Sequence, residues 1–354
     1  MDPFADVPEQ PEAKRLLTRA LAEGASHAFL FHGPAGVGKR ATALAFAGEL
    51  LGDARRVASR AHPDLTVIEA LGDMIRIDAI RELHHDLHMR PFEADRRVYL
   101  VFDAQLLGDD AADALLKDLE EPPPYATIVL VADELGPLPE TIRSRCQHVP
   151  FRRLSERAVR SWIEGRAAGL GADEATAVAR VAAGRLDRAT RLLDPEARAR
   201  REALLRTARA TYLDERFDAA LGAAVVTTAA TVRGAEAKER ESAAIEGIEL
   251  TAREADQRVR RAQRGAEREE LLASLEELEA WYRDLVVVEA GAESAVIHAD
   301  RIDDLRADAP RVGLAARDAA EVVRDAWRVA EELNVSPSLW LEALFVRLRR
   351  ALTT

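Results

Sequence analysis

A single cysteine stands in the 354 residues, which excludes an internal disulfide and any metal site built from several cysteines. Aromatic residues are scarce at 5%, while Ala, Leu and Arg abound, a balance that favours helix. No apolar run approaches the roughly 18 residues that a bilayer-spanning helix needs. The opening MDPFADVPEQPEAK has no basic stretch followed by an apolar one, so no secretion signal is read. These absences point to the cytoplasm and to no membrane partner. A basic excess is missing too. Lys and Arg number 50 against 62 Asp and Glu, for a net charge of −12. That argues against a chain that coats nucleic acid by itself, while leaving room for a local basic strip. What the chain has is length for two or three domains and 48% hydrophobic residues to build their cores.

Short apolar runs punctuate the first 150 or so positions: Phe29–Phe31, Leu65–Ile68, Val98–Phe102, Ile128–Val131 and a weaker one at His148–Phe151. Each is bounded by polar, Gly or Pro residues, and helical patterns lie between them. Alternation of this kind predicts a five-stranded parallel α/β sheet with helices on both faces, over residues 1–153. Strand signals then stop. Residues 154–195 read as a small group of helices, the first opening at Ser155, and residues 196–354 as an all-helical domain. Within the latter, a charged helix is expected at about 236–285, either projecting from the body or folded back as a hairpin. Its seam runs through Ile245, Ile248, Ala252, Ala255, Val259, Ala262 and Ala266, spaced by threes and fours. Leu271, Leu275, Leu278, Tyr282 and Leu285 continue an apolar face one residue out of phase. A break between two final helices is expected at Asn334–Pro337, where Ser336 can cap and Pro337 can start a helix.

The chemistry concentrates in Gly33-Pro34-Ala35-Gly36-Val37-Gly38-Lys39-Arg40, which follows an apolar strand and precedes a helix. Gly-x4-Gly-Lys lets backbone N–H groups wrap a phosphate chain, and the lysine reaches the terminal phosphates. One position departs from that pattern. A Ser or Thr after the lysine would ligate Mg²⁺, and here the residue is Arg40. Thr42 lies two positions on, about 200° around the helix and away from a metal. The Val98–Phe102 strand ends in Asp103, which suits a magnesium shell, but the next residue is Ala104 where a glutamate would position the attacking water. Two parts of metal-assisted hydrolysis are missing. The expectation is ATP bound without efficient turnover, or not bound, with Mg²⁺ only if ATP binds. Arg40 is long enough to plug the magnesium position. His84 and His88 share a helical spacing that suits a metal, as His85 does not, but no third ligand is read nearby and no metal is expected.

Several further strings converge: His62-Pro63-Asp64, Ala114-Leu115-Leu116-Lys117-Asp118-Leu119-Glu120-Glu121-Pro122-Pro123, and Pro139-Glu140-Thr141-Ile142-Arg143-Ser144-Arg145-Cys146. Together with the glycine loop they resemble the bacterial DNA polymerase III clamp-loader subunits of the AAA+ class, strongly over residues 27–151. The resemblance implies an AAA+ module, a helical lid and a helical collar. Arg40 and Ala104 resemble the delta-prime type, in which the phosphate loop is degraded and Ser-Arg-Cys is kept. It further implies that Arg145, between Ser144 and Cys146, acts as an arginine finger in trans on a neighbour's ATP. Arg188 resembles a lid arginine that senses nucleotide. Asp133, after Ala132, stands where the family senses phosphate and would repel it. Implied partners are the gamma/tau and delta subunits, the sliding clamp, and primer–template DNA through its phosphates, with Arg76, Arg81 and Arg90 as candidates for DNA. Family members usually carry four zinc-binding cysteines after the first loop helix; Gly52–Arg60 has none, so no zinc is expected there. An autonomous AAA+ ATPase of the gamma/tau kind is the alternative, and a P-loop enzyme on a small substrate a third reading.

Overall fold

The computed structural model describes residues 3–70, 74–167, 170–246, 251–333 and 336–353. The chain divides into two compact units, Met1–Ala189 and Thr190–Thr354. In the first, α1 (Pro11–Glu23) leads to β1 (Ala28–His32), α2 (Lys39–Leu51), α3 (Ala54–Ala58), β2 (Leu65–Ile68), α4 (Ile77–Leu87) and β3 (Arg97–Phe102). Then come α5 (Asp109–Glu120), β4 (Ala126–Ala132), α6 (Glu140–Arg143) and β5 (Gln147–Pro150). The five strands pair in parallel in the order β2-β3-β4-β1-β5.

β3 and β4 are buried along their whole length. Strands covered on both faces need no polar side, so they read as continuous apolar runs rather than alternating ones. On one face Leu17 of α1 and Phe46 of α2 pack against Phe29, Phe31, Leu100 and Phe102. On the other, Ile80 and Leu83 of α4 and Leu115 and Leu119 of α5 pack against Leu30, Tyr99, Val101 and Leu130. The five-stranded α/β sheet expected from the sequence is the one formed. Three helices follow it: α7 (Glu156–Glu164), α8 (Ala172–Ala182) and α9 (Leu186–Leu193). Ser155 caps α7, its hydroxyl accepting the Ala158 N–H at 3.1 Å. The two compact units part inside α9.

The second unit contains α10 (Pro195–Leu213), α11 (Ala219–Ala244), α12 (Ala252–Glu289), α13 (Ile302–Val312), α14 (Ala315–Leu333) and α15 (Pro337–Thr353). Trp281, Tyr282 and Leu285 of α12 centre its core with Phe345 and Leu348 of α15. Of the two forms open to the charged stretch at 236–285, the hairpin forms and the straight helix does not. α11 stops at Ala244, with Ile245 as its C-cap, and α12 starts at Ala252. The two run antiparallel, so that Arg258 pairs with Glu241 and Glu267 lies against Gly234. The seam was read across a reversal. The residues that pack α11, Ala223, Val226 and Ala230, precede position 236, and of the seam's later members Ala266 is buried while Ala252 is exposed. Ile248 lies outside the described residues, as do Asn334 and Val335 of the final break, on either side of which α14 ends and α15 begins at Pro337. The out-of-phase apolar face, Leu271 through Leu285, is buried in the core. No helix among the described residues is long and apolar enough to cross a membrane.

Candidate functional site

β1 delivers the chain to the C-terminal edge of the sheet, where ligands of open α/β sheets sit. The loop from Gly33 to Gly38 turns there before α2 begins at Lys39. Gly33 has φ 137°, and a Cβ on it would stand 2.2 Å from the Phe151 carbonyl oxygen, so no other residue fits. Val37 is fully buried, while Pro34 and Ala35 are half-buried on the loop surface. The backbone is that of a phosphate cradle.

Its side chains are otherwise engaged. Lys39 Nζ donates to the carbonyls of Gly33 at 2.5 Å and Pro34 at 2.6 Å, and pairs with Asp133 Oδ1 at 2.7 Å. An ammonium has three protons, and these three acceptors use them all. The lysine side chain is 4% exposed. Burial pulls its pKa below the ordinary lysine value even though Asp133 works the other way. Asp133 was expected to repel phosphate; it also holds the lysine that would bind one.

Arg40 lies at the start of α2 with its Nη2 on the carboxylate of Asp103, its Nη1 3.5 Å from Glu69, and its guanidinium 5.0 Å over the Phe102 ring. It thus joins the two places, after the lysine and at the end of β3, that would jointly hold Mg²⁺. Burial pushes the Asp103 carboxyl above its ordinary value, with Arg40 opposing and Asp133 and Glu69 adding to the rise. Ala104 is fully buried and offers no carboxylate. Thr42 is fully buried as well, its hydroxyl donating to the Gly38 carbonyl at 2.8 Å, turned from the loop as its spacing indicated. These residues do not fit Mg²⁺–ATP: the cation position already has a cation, and the lysine's protons are taken.

A residue that sequence reasoning missed closes over the loop. The Leu186 N–H donates to the Gly36 carbonyl at 2.7 Å, and the Asp187 carboxylate stands where any Cβ on Gly36 would go. Burial pushes the Asp187 carboxyl up, but Arg185, 2.6 Å away, and the Arg188 N–H hold it below its ordinary value. Arg188 is half-buried on α9. A resemblance singles out that arginine; the aspartate beside it carries no motif.

Ser144, Arg145 and Cys146 follow α6. Ser144 Oγ donates to the Thr141 carbonyl at 3.1 Å. Arg145 is exposed but not loose: Nη1 donates to the Thr141 carbonyl at 2.9 Å and Nη2 to Glu120 Oε1 at 2.5 Å, at the end of α5. Cys146 is buried, and burial pushes its thiol up to about 12, which makes it a small apolar residue and not a nucleophile. Arg76, Arg81 and Arg90 are all exposed. His62-Pro63-Asp64 is structural. Asp64, 1% exposed, accepts the N–H groups of Phe92 at 2.6 Å and of Glu93 and Ala94 at 2.9 Å. Burial pushes that carboxyl up, and the three donors more than reverse it. Gly52–Arg60 carries α3, capped by Asp53 through the Arg56 N–H. His84 and His88, read as having no third donor nearby, have a carboxylate beside them, that of Asp118 on α5.

Residues 9–155 match the family model described as DNA polymerase III, delta subunit. Over 163 residues the chain is 32% identical to the DNA polymerase III subunit delta' of Bacillus subtilis, covering 42% of this chain and 50% of that one. The delta' subunit of Pseudomonas aeruginosa is 35% identical over 136 residues, 34% of this chain and 42% of that one. The tau subunit of B. subtilis is 31% identical over 170 residues, 44% and 30% of the two chains. The match spans about half the length of these curated relatives or less. Among solved structures, a DNA polymerase III gamma subunit-related protein from Thermotoga maritima has the same fold, with a TM-score of 0.50 at 18% identity over 96% of this chain and 99% of that one. With the glycine loop and the Ser-Arg-Cys turn inside the matched stretch, the module at residues 9–155 is that of a DNA polymerase III clamp-loader subunit, related to both delta-prime and gamma/tau proteins.

Proposed function

We propose that this chain is a delta-prime-type subunit that hydrolyses no ATP efficiently itself and lends Arg145 to ATP bound by a neighbouring gamma/tau-like subunit. The observation that carries the reading is the Arg40–Asp103 pair, which puts the chain's own cation where magnesium would act. A motor site so filled loses the metal, and Ala104 removes the base as well. What is left that suits phosphate chemistry is an exposed guanidinium. It is planar, permanently charged and able to grip two oxygens of a phosphate, and arginine fingers are worth about 10³–10⁵ in rate where measured. Its tie to Glu120 is a surface pair, typically worth roughly 0–1 kcal/mol, which an incoming triphosphate outbids. In this reading the chain works in the cytoplasm in a hetero-oligomer with gamma/tau and delta subunits. That assembly places a sliding clamp on primer–template DNA, which it meets through phosphates.

A second reading, an autonomous ATPase of the gamma/tau kind, draws support from the tau relative. ATP hydrolysis by the purified chain, alone and mixed with a gamma/tau subunit, separates the two. The expected result is no turnover alone and stimulation in the mixture that Arg145→Ala removes and Arg145→Lys only partly restores. Motor-like turnover by the chain alone, or undiminished stimulation by Arg145→Ala, overturns the proposal.

A further inference from the structure

α4 carries His84 and, at its C-cap, His88, and α5 beside it carries Asp118. A spacing of four brings both imidazoles to one side of a helix, and their ring centroids are 4.9 Å apart. One nitrogen from each ring and one oxygen of Asp118 lie within 4.8 Å of one another. Asp118 is 2% exposed. Its Oδ1 is 2.6 Å from His84 Nδ1, and its Oδ2 is buried with no hydrogen-bond partner among the described residues. A buried acceptor left unpaired costs about 1–3 kcal/mol, more if charged. A half-satisfied carboxylate thus stands beside two exposed imidazoles, one of them already on its Oδ1.

We propose that His84, His88 and Asp118 form a site for a divalent transition metal, with Zn²⁺ as the ion of best fit. Two imidazoles and one carboxylate are a donor set that zinc accepts, with water completing a tetrahedron. Calcium and magnesium, by contrast, want oxygen ligands throughout. Zinc bonds of about 2.0–2.1 Å put tetrahedral ligand atoms roughly 3.4 Å apart. The His84–Asp118 pair must open slightly and the other atoms draw together, and the exposed rings are able to turn. The side chain of His84 is 51% exposed and His88 is also exposed, which leaves an entry path and room for a water ligand. Neutral imidazole and ionised carboxylate are the binding forms, so protons compete with the metal. The site is separate from the glycine loop and from Gly52–Arg60. Its role is to tie α4 to α5, the pair that covers one face of the sheet. The competing account is a plain His84–Asp118 hydrogen bond with water on the second oxygen.

The test is calorimetric titration of the untagged, metal-stripped full chain with Zn²⁺ near neutral pH, alongside Co²⁺ titration read by visible absorption. The expected result is one Zn²⁺ per chain and a tetrahedral Co²⁺ spectrum. His84→Ala and His88→Ala each weaken binding at least about 10- to 100-fold, the loss that even outer-shell partners produce. Both positions are exposed, so these variants fold even if Asp118→Asn does not. His85→Ala, on the same helix but off the site, leaves binding unchanged. Absence of Zn²⁺ binding overturns the proposal, as does binding that survives both His84→Ala and His88→Ala or that His85→Ala weakens equally.

Discussion

Replacing Arg40 with threonine tests whether an internal cation stands in for magnesium. The guanidinium is 44% exposed and pairs with Asp103 and Glu69, at 28% and 36% exposure. Exposed pairs contribute about 0.2–1 kcal/mol each, so Arg40→Thr should lower stability by no more than about 2 kcal/mol and melt cooperatively. The substitution removes a permanent charge from between two carboxylates and supplies the hydroxyl that the metal position wants. Nucleotide binding should become magnesium-dependent. It should stay weak, because Lys39 still gives its protons to Gly33, Pro34 and Asp133. Adding Asp133→Asn loosens the strongest of those ties. A charge-assisted hydrogen bond is worth about 1.5–3 kcal/mol, so the double variant should bind about 10- to 100-fold more tightly than Arg40→Thr alone. Turnover should still be slow, since the missing base at Ala104 costs about 10²–10⁴ in rate. Titration with a fluorescent ATP analogue, in magnesium and in chelator, reads all three chains. Tight, magnesium-dependent binding by the unmodified chain would refute the reasoning, because Arg40 would then have to leave a position that the argument gives it.

Three other outcomes are expected. Glu120→Ala should change stability by less than about 1 kcal/mol and, in a reconstituted complex, should raise partner ATPase or leave it unchanged; a loss of stimulation would mean that Glu120 positions Arg145 rather than rests it. Asp64→Asn should destabilise the first unit by about 1–3 kcal/mol, because three backbone N–H groups share one buried acceptor that is weakened; since the native Asp64 carboxyl is held below its usual 3.8, its contribution is present above that pH and fades as pH falls through the folded value, and a melting series in acid reads the difference. In the second unit, His298 is fully buried between Asp284 at 2.8 Å and Glu277 at 3.1 Å, with Arg201 opposing; burial lowers its pKa but the two carboxylates raise it above 6.5 overall. Stabilisation by His298 is therefore complete below about pH 6.5 and is lost as pH rises through the folded value, and His298→Gln should flatten that dependence in thermal melts.

What the sequence made legible follows from physics that is local. Buried parallel strands have no polar face, so β1, β3 and β4 stood out as apolar runs while the edge strand β5 gave a weaker one, and positive-φ glycines with a lysine at fixed spacing marked the loop. Helix starts at Ser155 and Pro337 were legible because capping acts within one turn. The pairings that decide the chemistry were not. Asp133 sits 94 positions from Lys39, Glu120 sits 25 from Arg145, and Asp118 sits 34 from His84. Nothing in composition or spacing links residues brought together only by strand order or by two helices lying side by side. The choice between a straight helix and the α11–α12 hairpin was not legible for a related reason. An alanine-rich, charge-mixed stretch keeps the same three-and-four spacing whether it runs straight or reverses, and the residues that pack α11 into the core, Ala223 and Val226, precede it.

Three cations of the first unit that suit phosphate, Lys39, Arg40 and Arg145, are each held by an acid of the same chain, and their surroundings rank them. Lys39 is 4% exposed and held by three acceptors at once; freeing it means breaking two hydrogen bonds and an ion pair together. Arg40 is more open, yet it is caught between two carboxylates and an aromatic face, and displacing it would bring those carboxylates against an incoming triphosphate. Arg145 is 35% exposed and its acid, Glu120, is 50% exposed. Water already screens that pair, and either partner can turn to solvent when the other leaves. The ease of release therefore runs from Arg145 through Arg40 to Lys39, the reverse of what an ATPase acting on its own nucleotide requires and the order that suits a subunit acting on a neighbour's.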